Sequence, residues 1–139
     1  MRVSEILNRR RYGRTRINYI NEWYGDLNEL LALNGLVAEK ERLKKVEFSQ
    51  AMNIVTFLLN RGVAYDEEFM PLKDAAKYTK FLFEDLIADK CECYTNGDWD
   101  KYNETNGFGF HNMTESTFDG GVLVTSQYLH FCFWIEEED

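Results

Sequence analysis

The stretch DGGVLVTSQYLHFCFWI, residues 119–135, decides the fold class. Its second half alternates strictly. In an extended chain Leu129, Phe131, Phe133 and Ile135 project to one side, and Tyr128, His130, Cys132 and Trp134 to the other. Residues 122–125 are a second β-rich run, separated from the first by Ser126 and Gln127, so the two runs read as a hairpin. Asp119-Gly120-Gly121 reads as the turn before it, and Asn96-Gly97 and Asn106-Gly107 are further turn signals upstream. The sequence therefore predicts an antiparallel meander over residues 91–139.

Upstream the period changes from two to between three and four. PLKDAAKYTKFLFEDLIADK (residues 71–90) places Leu72, Ala75, Ala76, Thr79, Leu82, Phe83, Leu86 and Ile87 on one helical face, with Pro71 suited to the first turn. This helix is the expected cover for the apolar face of the meander. SQAMNIVTFLLNRG (residues 49–62) is apolar nearly all round and reads as a buried helix capped by Ser49. LVAEKERLKKVEF (residues 36–48) reads as a short solvated helix. In TRINYINEWYGDLNELLALNG (residues 15–35), Ile17, Ile20, Tyr24, Leu27, Leu30 and Leu31 recur at helical steps up to an Asn34-Gly35 stop. A short first helix is expected over residues 3–12, with Ser4 as its cap. The expectation is one α+β domain over residues 1–139: an N-terminal helical half of three to four helices packed on a C-terminal antiparallel β-meander.

Composition agrees with one packed domain. Of 139 residues 45% are hydrophobic and 15% aromatic, including ten Phe, eight Tyr and three Trp, which supplies a core and argues against disorder. The start, MRVSEILNRRRYG, has no apolar h-region and no stretch approaches the ~20 apolar residues of a membrane span. Three cysteines, an odd number with two only one residue apart, suit a reducing compartment. These features predict a cytoplasmic chain with no membrane contact.

The charge is uneven. The formal net charge is −8, yet residues 1–16 carry six Arg against one Glu. From Glu84 onward thirteen acidic residues face only Lys90 and Lys101. The arginines Arg9, Arg10, Arg11, Arg14 and Arg16 form the run RRRYGRTR. The planar guanidinium suits phosphate, so nucleic-acid binding through this arm is one reading. The acidic body opposes it, because nucleic-acid binders are usually basic and this chain has a pI of about 4.8. The competing reading is a basic clip that lies on the protein's own carboxylates.

Catalytic signatures are weak. His111, Glu115 and Asp119 recur every four residues as a candidate acid–base or metal set, the basis for a small hydrolase. On a strand they would span roughly 27 Å, so only a bend could bring them together. The cysteines and histidines lack zinc spacing, and neither register of the acidic run at residues 96–104 fits a calcium loop. No phosphate-binding, dinucleotide or nucleophile-elbow motif occurs. The expectation is no metal and no cofactor.

The leading reading is a non-enzymatic interaction protein of the inhibitor, immunity or phage counter-defence type. Its acidic, aromatic-rich β half would occupy a basic surface on a protein partner, such as a nuclease or another nucleic-acid enzyme, by mimicking nucleic-acid phosphates. Asp98, Trp99, Asp100, Tyr102 and Glu104 are the expected contact centre, with Glu136, Glu137, Glu138 and Asp139 as its rim. Glu84, Asp85, Asp89 and Glu92 would extend that surface.

Overall fold

The alternating C-terminal run becomes the inner strand of a five-stranded sheet. In the computed structural model the chain forms α1 (Val3–Arg9), β1 (Arg14–Asn21), α2 (Leu27–Leu33), β2 (Lys44–Val46), α3 (Phe48–Asn60), α4 (Leu72–Leu82), β3 (Glu92–Thr95), β4 (Phe118–Thr125) and β5 (Leu129–Glu137). The structure describes residues 2–23, 25–101 and 109–138. The class is α+β, with four helices and an antiparallel sheet ordered β1-β5-β4-β3-β2. β3, β4 and β5 form the expected meander. β1 and β2 add to its two edges from the first half of the chain.

The β5 alternation sorts residues between two cores. Phe131, Phe133 and Ile135 join Val122 and Val124 of β4 under the helices, in one cluster with Ile54 and Leu58 of α3. Cys132 and Trp134 join Leu123 on the other face, against Leu30 and Leu31 of α2, Leu36 and Met113. Each fully buried large side chain contributes about 1.5–3 kcal/mol. Both faces of the central strands are therefore covered. α3 lies directly against β3 and β4. α4 packs on α3 and reaches the sheet through Phe83, whose ring is 5.2 Å from that of Phe131. The cover over the meander is thus α3 first, with the expected α4 second.

Four local expectations are corrected. Residues 15–35 do not form one helix: Arg14–Asn21 pairs with β5 in continuous register from Arg14↔Glu136 to Asn21↔Leu129, and only Leu27–Leu33 is helical. Arg14, Arg16 and Asn18 alternate with Thr15, Ile17 and Tyr19, and Ile17 and Tyr19 pack in the helical-side core; only Ile20, which joins the opposite core, breaks the alternation. Residues 36–48 hold a single 3-10 turn (Lys40–Arg42) and β2 in place of a helix. The N-cap of α3 is Glu47, whose amide donates to Gln50 Oε1 (2.9 Å), rather than Ser49. Asp119-Gly120-Gly121 is the inside of β4, not a turn. A Cβ on Gly120 would lie 2.3 Å from the Trp99 indole, so glycine here makes room for a ring.

Candidate functional site

The arginine run folds back on the protein. Arg10 is buried at the end of α1. Its Nη2 donates to Glu137 Oε2 (2.6 Å), its Nε to the Leu58 carbonyl (2.6 Å) and its Nη1 to the Tyr12 carbonyl (3.0 Å). The Phe69 ring centroid lies 4.8 Å from the guanidinium carbon. Glu137 also accepts from the Val63 and Ala64 amides (3.1 and 3.2 Å). Burial pulls the Arg10 guanidinium below its ordinary value while Glu137 opposes it, and arginine remains cationic. Arg9 donates to Asp74 (3.2 Å) and Tyr78 (3.1 Å). Arg16 donates to the Gly35 carbonyl (3.2 Å) and sits 2.9 Å from Glu136 Oε2, out of line for a hydrogen bond, so that pairing is electrostatic. Arg11 and Arg14 are exposed.

This docking consumes the acidic tail. Glu137 is buried against Arg10, and Glu136 is held by Arg16 and by the Ser116 hydroxyl (2.9 Å). Glu138 is exposed but accepts from the Thr117 hydroxyl and amide, which hold its carboxyl below the ordinary range. The expected contact centre is dispersed as well. Trp99 is fully buried beneath β4 and donates to Asn96 Oδ1 (2.9 Å). Asp98 pairs with Lys44, and Asp100 is half-buried. Tyr102, Glu104 and Asp139 lie outside the described residues. Among the described residues of the rim and centre, Asp98, Glu136 and Glu137 serve internal cations and Trp99 serves the core.

His111, Glu115 and Asp119 are likewise divided. His111 and Glu115 are exposed, whereas Asp119 is wholly buried. Its Oδ1 accepts from Trp134 Nε1 (3.0 Å), the Met113 amide (2.9 Å) and Asn96 Nδ2 (3.1 Å). Its Oδ2 accepts from the Thr114 amide (3.1 Å) and hydroxyl (2.9 Å) and from Asn112 Nδ2 (3.2 Å). A carboxylate with this many donors braces the loop over Trp134. Among the described residues no group of three or more His, Cys, Asp or Glu is placed to hold a metal ion.

The thiols are not poised for nucleophilic work. Burial pushes Cys93 and Cys132 up to about 12 and raises Cys91 as well, whereas a reactive cysteine needs a lowered value. His130, on the Cys132 strand, is locked. Its Nε2 lies 2.9 Å from the Trp23 carbonyl and its Nδ1 2.8 Å from Thr125 Oγ1. The carbonyl can only accept, so Nε2 carries a proton. An open hollow of about 660 Å³ beside β2 and the start of α3 offers Cys91 as its one thiol.

One end of the sheet differs from the rest. Past α4 the chain runs through Glu84, Asp85, Ile87 and Lys90 beside the β4–β5 hairpin, while Asp89 lines the hollow beside β2 and the start of α3. The two segments enclose two adjoining hollows of about 400 and 440 Å³ that share Asp85 and Leu129. Tyr128 at the hairpin tip is 62% exposed and Ile87 is 55% exposed. The hairpin is fixed from β1: the Glu22 amide, at a left-handed φ of 49°, donates to the Tyr128 carbonyl (3.1 Å). Tyr19 donates to the Leu82 carbonyl (2.5 Å) in the second hollow; burial, and then Asp85, raise its phenol above the ordinary value. Among the described residues Glu84, Asp85 and Asp89 make no ion pair. The sequence placed these three in an acidic surface but put Ile87 on the core face of the helix, which instead ends at Leu82 and leaves Ile87 exposed, and it did not single out Tyr128. The signal was present: Tyr128 directly follows the hairpin turn, where a side chain stands clear of both cores.

Comparison with protein-family models, with curated proteins and with solved structures finds no match. Among the described residues no helix is long and apolar enough to cross a membrane.

Proposed function

We propose that this chain is a non-enzymatic interaction protein that occupies a basic surface of a protein partner, and that its contact face is the hairpin end of the sheet. Tyr128 and Ile87 form the apolar centre, and Glu84 and Asp85 the anionic surround. The observation that carries this reading is the contrast in pairing. Glu136 and Glu137 are matched to arginines of the same chain, while Glu84 and Asp85, beside Tyr128 and Ile87, make no ion pair among the described residues, although Lys90 lines the same hollow as Asp85. Large exposed rings beside unpaired charge combine an affinity anchor with long-range steering. A surface of this sign fits a partner whose own face is Lys- and Arg-rich, as the phosphate-tracking face of a nucleic-acid enzyme is. The partner class of inhibitors and immunity proteins belongs to this proposal.

The test begins with a partner captured and identified by mass spectrometry, then measures its affinity for surface variants. Tyr128→Ala and Asp85→Lys are each expected to weaken binding about tenfold or more, as central contacts do. Glu138→Lys, on the internally bonded tail, is expected to change it less than about twofold. Equal affinity for Tyr128→Ala and the parent chain overturns the assignment. Retention on heparin that disappears in Arg11→Ala/Arg14→Ala would instead support nucleic-acid binding through the two exposed arginines.

A further inference from the structure

The sheet ends in two edges of unlike character. β2 is three residues long and carries exposed Lys44 and Lys45, the short, charged design that discourages further pairing. β1 runs for eight residues without proline, in unbroken register with β5. Among the described residues no hydrogen bond reaches the amides or carbonyls of residues 14–21 from outside the β1–β5 ladder. Every second residue of a paired strand turns its N–H and C=O away from its neighbour. β1 therefore presents roughly 27 Å of unpaired backbone.

The charges at the two ends of this edge are opposite. Arg14 begins it and Glu22 follows its last residue; both are exposed, and among the described residues neither has an ionic partner. An antiparallel copy of the same strand, related by a two-fold axis through Asn18, sets Arg14 against the partner's Glu22 and repeats that pairing at the other end. A parallel copy would set arginine against arginine. The edge is thus self-complementary in one orientation, as an isologous contact requires. We infer that β1 is a homodimer interface, joining the sheets of two copies into one continuous antiparallel sheet closed at each end by an Arg14–Glu22 pair. It forms on the order of six to eight intersubunit backbone hydrogen bonds. This inference uses neither Tyr128 nor the carboxylates of the proposed docking face, and it stands or falls separately.

Sedimentation equilibrium of the full chain at about 150 mM salt tests it. The expected result is a concentration-dependent species of twice the 16.4 kDa protomer mass. Arg14→Glu and Glu22→Arg should each weaken the dimer about tenfold, since each replaces two attractive cross-strand pairs by two repulsive ones. Combining Arg14→Glu with Glu22→Arg should restore it. Hydrogen exchange on the unmodified chain supplies a readout that no variant can disturb: alternate amides in residues 14–21 should exchange more slowly as concentration rises. A 16.4 kDa species at every concentration overturns the inference, as does a dimer indifferent to both single reversals. Tight binding of a free peptide of residues 14–22 by a chain that stays monomeric also overturns it, and assigns the edge to peptide capture.

Discussion

Arg10 stands between two other arginines in the sequence, and nothing in that run marks it as the one that is buried. Its role is set by Glu137, 127 residues away, through a bond of 2.6 Å between side chains that have no solvent exposure. Such a pair does little for net stability, but losing one member strands the other. Arg10→Met should therefore destabilise the protein by about 3–5 kcal/mol in urea unfolding, because Glu137 is left charged and buried. Arg10→Met/Glu137→Gln should recover much of that loss, since a neutral amide oxygen still accepts from Val63 and Ala64. Equal loss in the single and double variants would mean that Arg10 acts through packing on Phe69 rather than through charge. The same reasoning explains why Asp119 misled as a catalytic candidate. Spacing shows that a carboxylate is present, but not that donors from Trp134, Met113, Asn96, Thr114 and Asn112 have filled it.

At the level of elements, legibility followed burial. β5 was readable because its two sets of side chains differ in kind and its turn is short. β1 was not, because Ile17 and Ile20 enter opposite cores three residues apart, and that step joins Leu27, Leu30 and Leu31 of α2 in a helix-like spacing across the break at Glu22. The buried strands also carry a pH signature. Cys93 on β3 and Cys132 on β5 are held protonated by burial, with values raised from 9.0 to about 12. A group raised in the folded state contributes stability that is complete below its unfolded value and is lost as pH climbs toward the folded one. Stability measured in urea should be flat up to about pH 9 and then fall by on the order of 1 kcal/mol per pH unit per thiol toward pH 12. The phenols of Tyr19 and Tyr94, ordinarily near 10.0, are raised too and steepen the decline above that point. Cys93→Ala/Cys132→Ala should show a shallower slope between about pH 9 and pH 10, where the thiols act alone. An unchanged slope there would show that the thiolates are accommodated. In the native state a thiol reagent should find Cys91 first, the one cysteine that is not fully buried.

For the whole molecule, the deciding quantity is where negative charge remains after the chain has satisfied itself. Composition revealed the excess of acid, and the order of charges suggested a surface in the last third. The cationic leader, however, neutralises the tail in three dimensions, and the unpaired acids lie instead at the turn end, beside Tyr128 and Ile87. This predicts opposite responses to the same chemical change at two sites. Glu136→Gln should lower stability by about 1 kcal/mol, because Arg16 and Ser116 lose a charged partner in a partly buried place. Asp85→Asn should be neutral or stabilising by a few tenths of a kcal/mol at low ionic strength, because it relieves like-charge repulsion with its unpaired acidic neighbours. Raising the salt to about 0.5 M should erase the Asp85 effect, which is exposed, and leave most of the Glu136 effect, which is shielded. Urea unfolding of both variants at the two salt concentrations decides the matter. If Asp85→Asn costs as much as Glu136→Gln, its carboxylate is already serving the fold, and the hairpin end has no free charge to offer a basic partner.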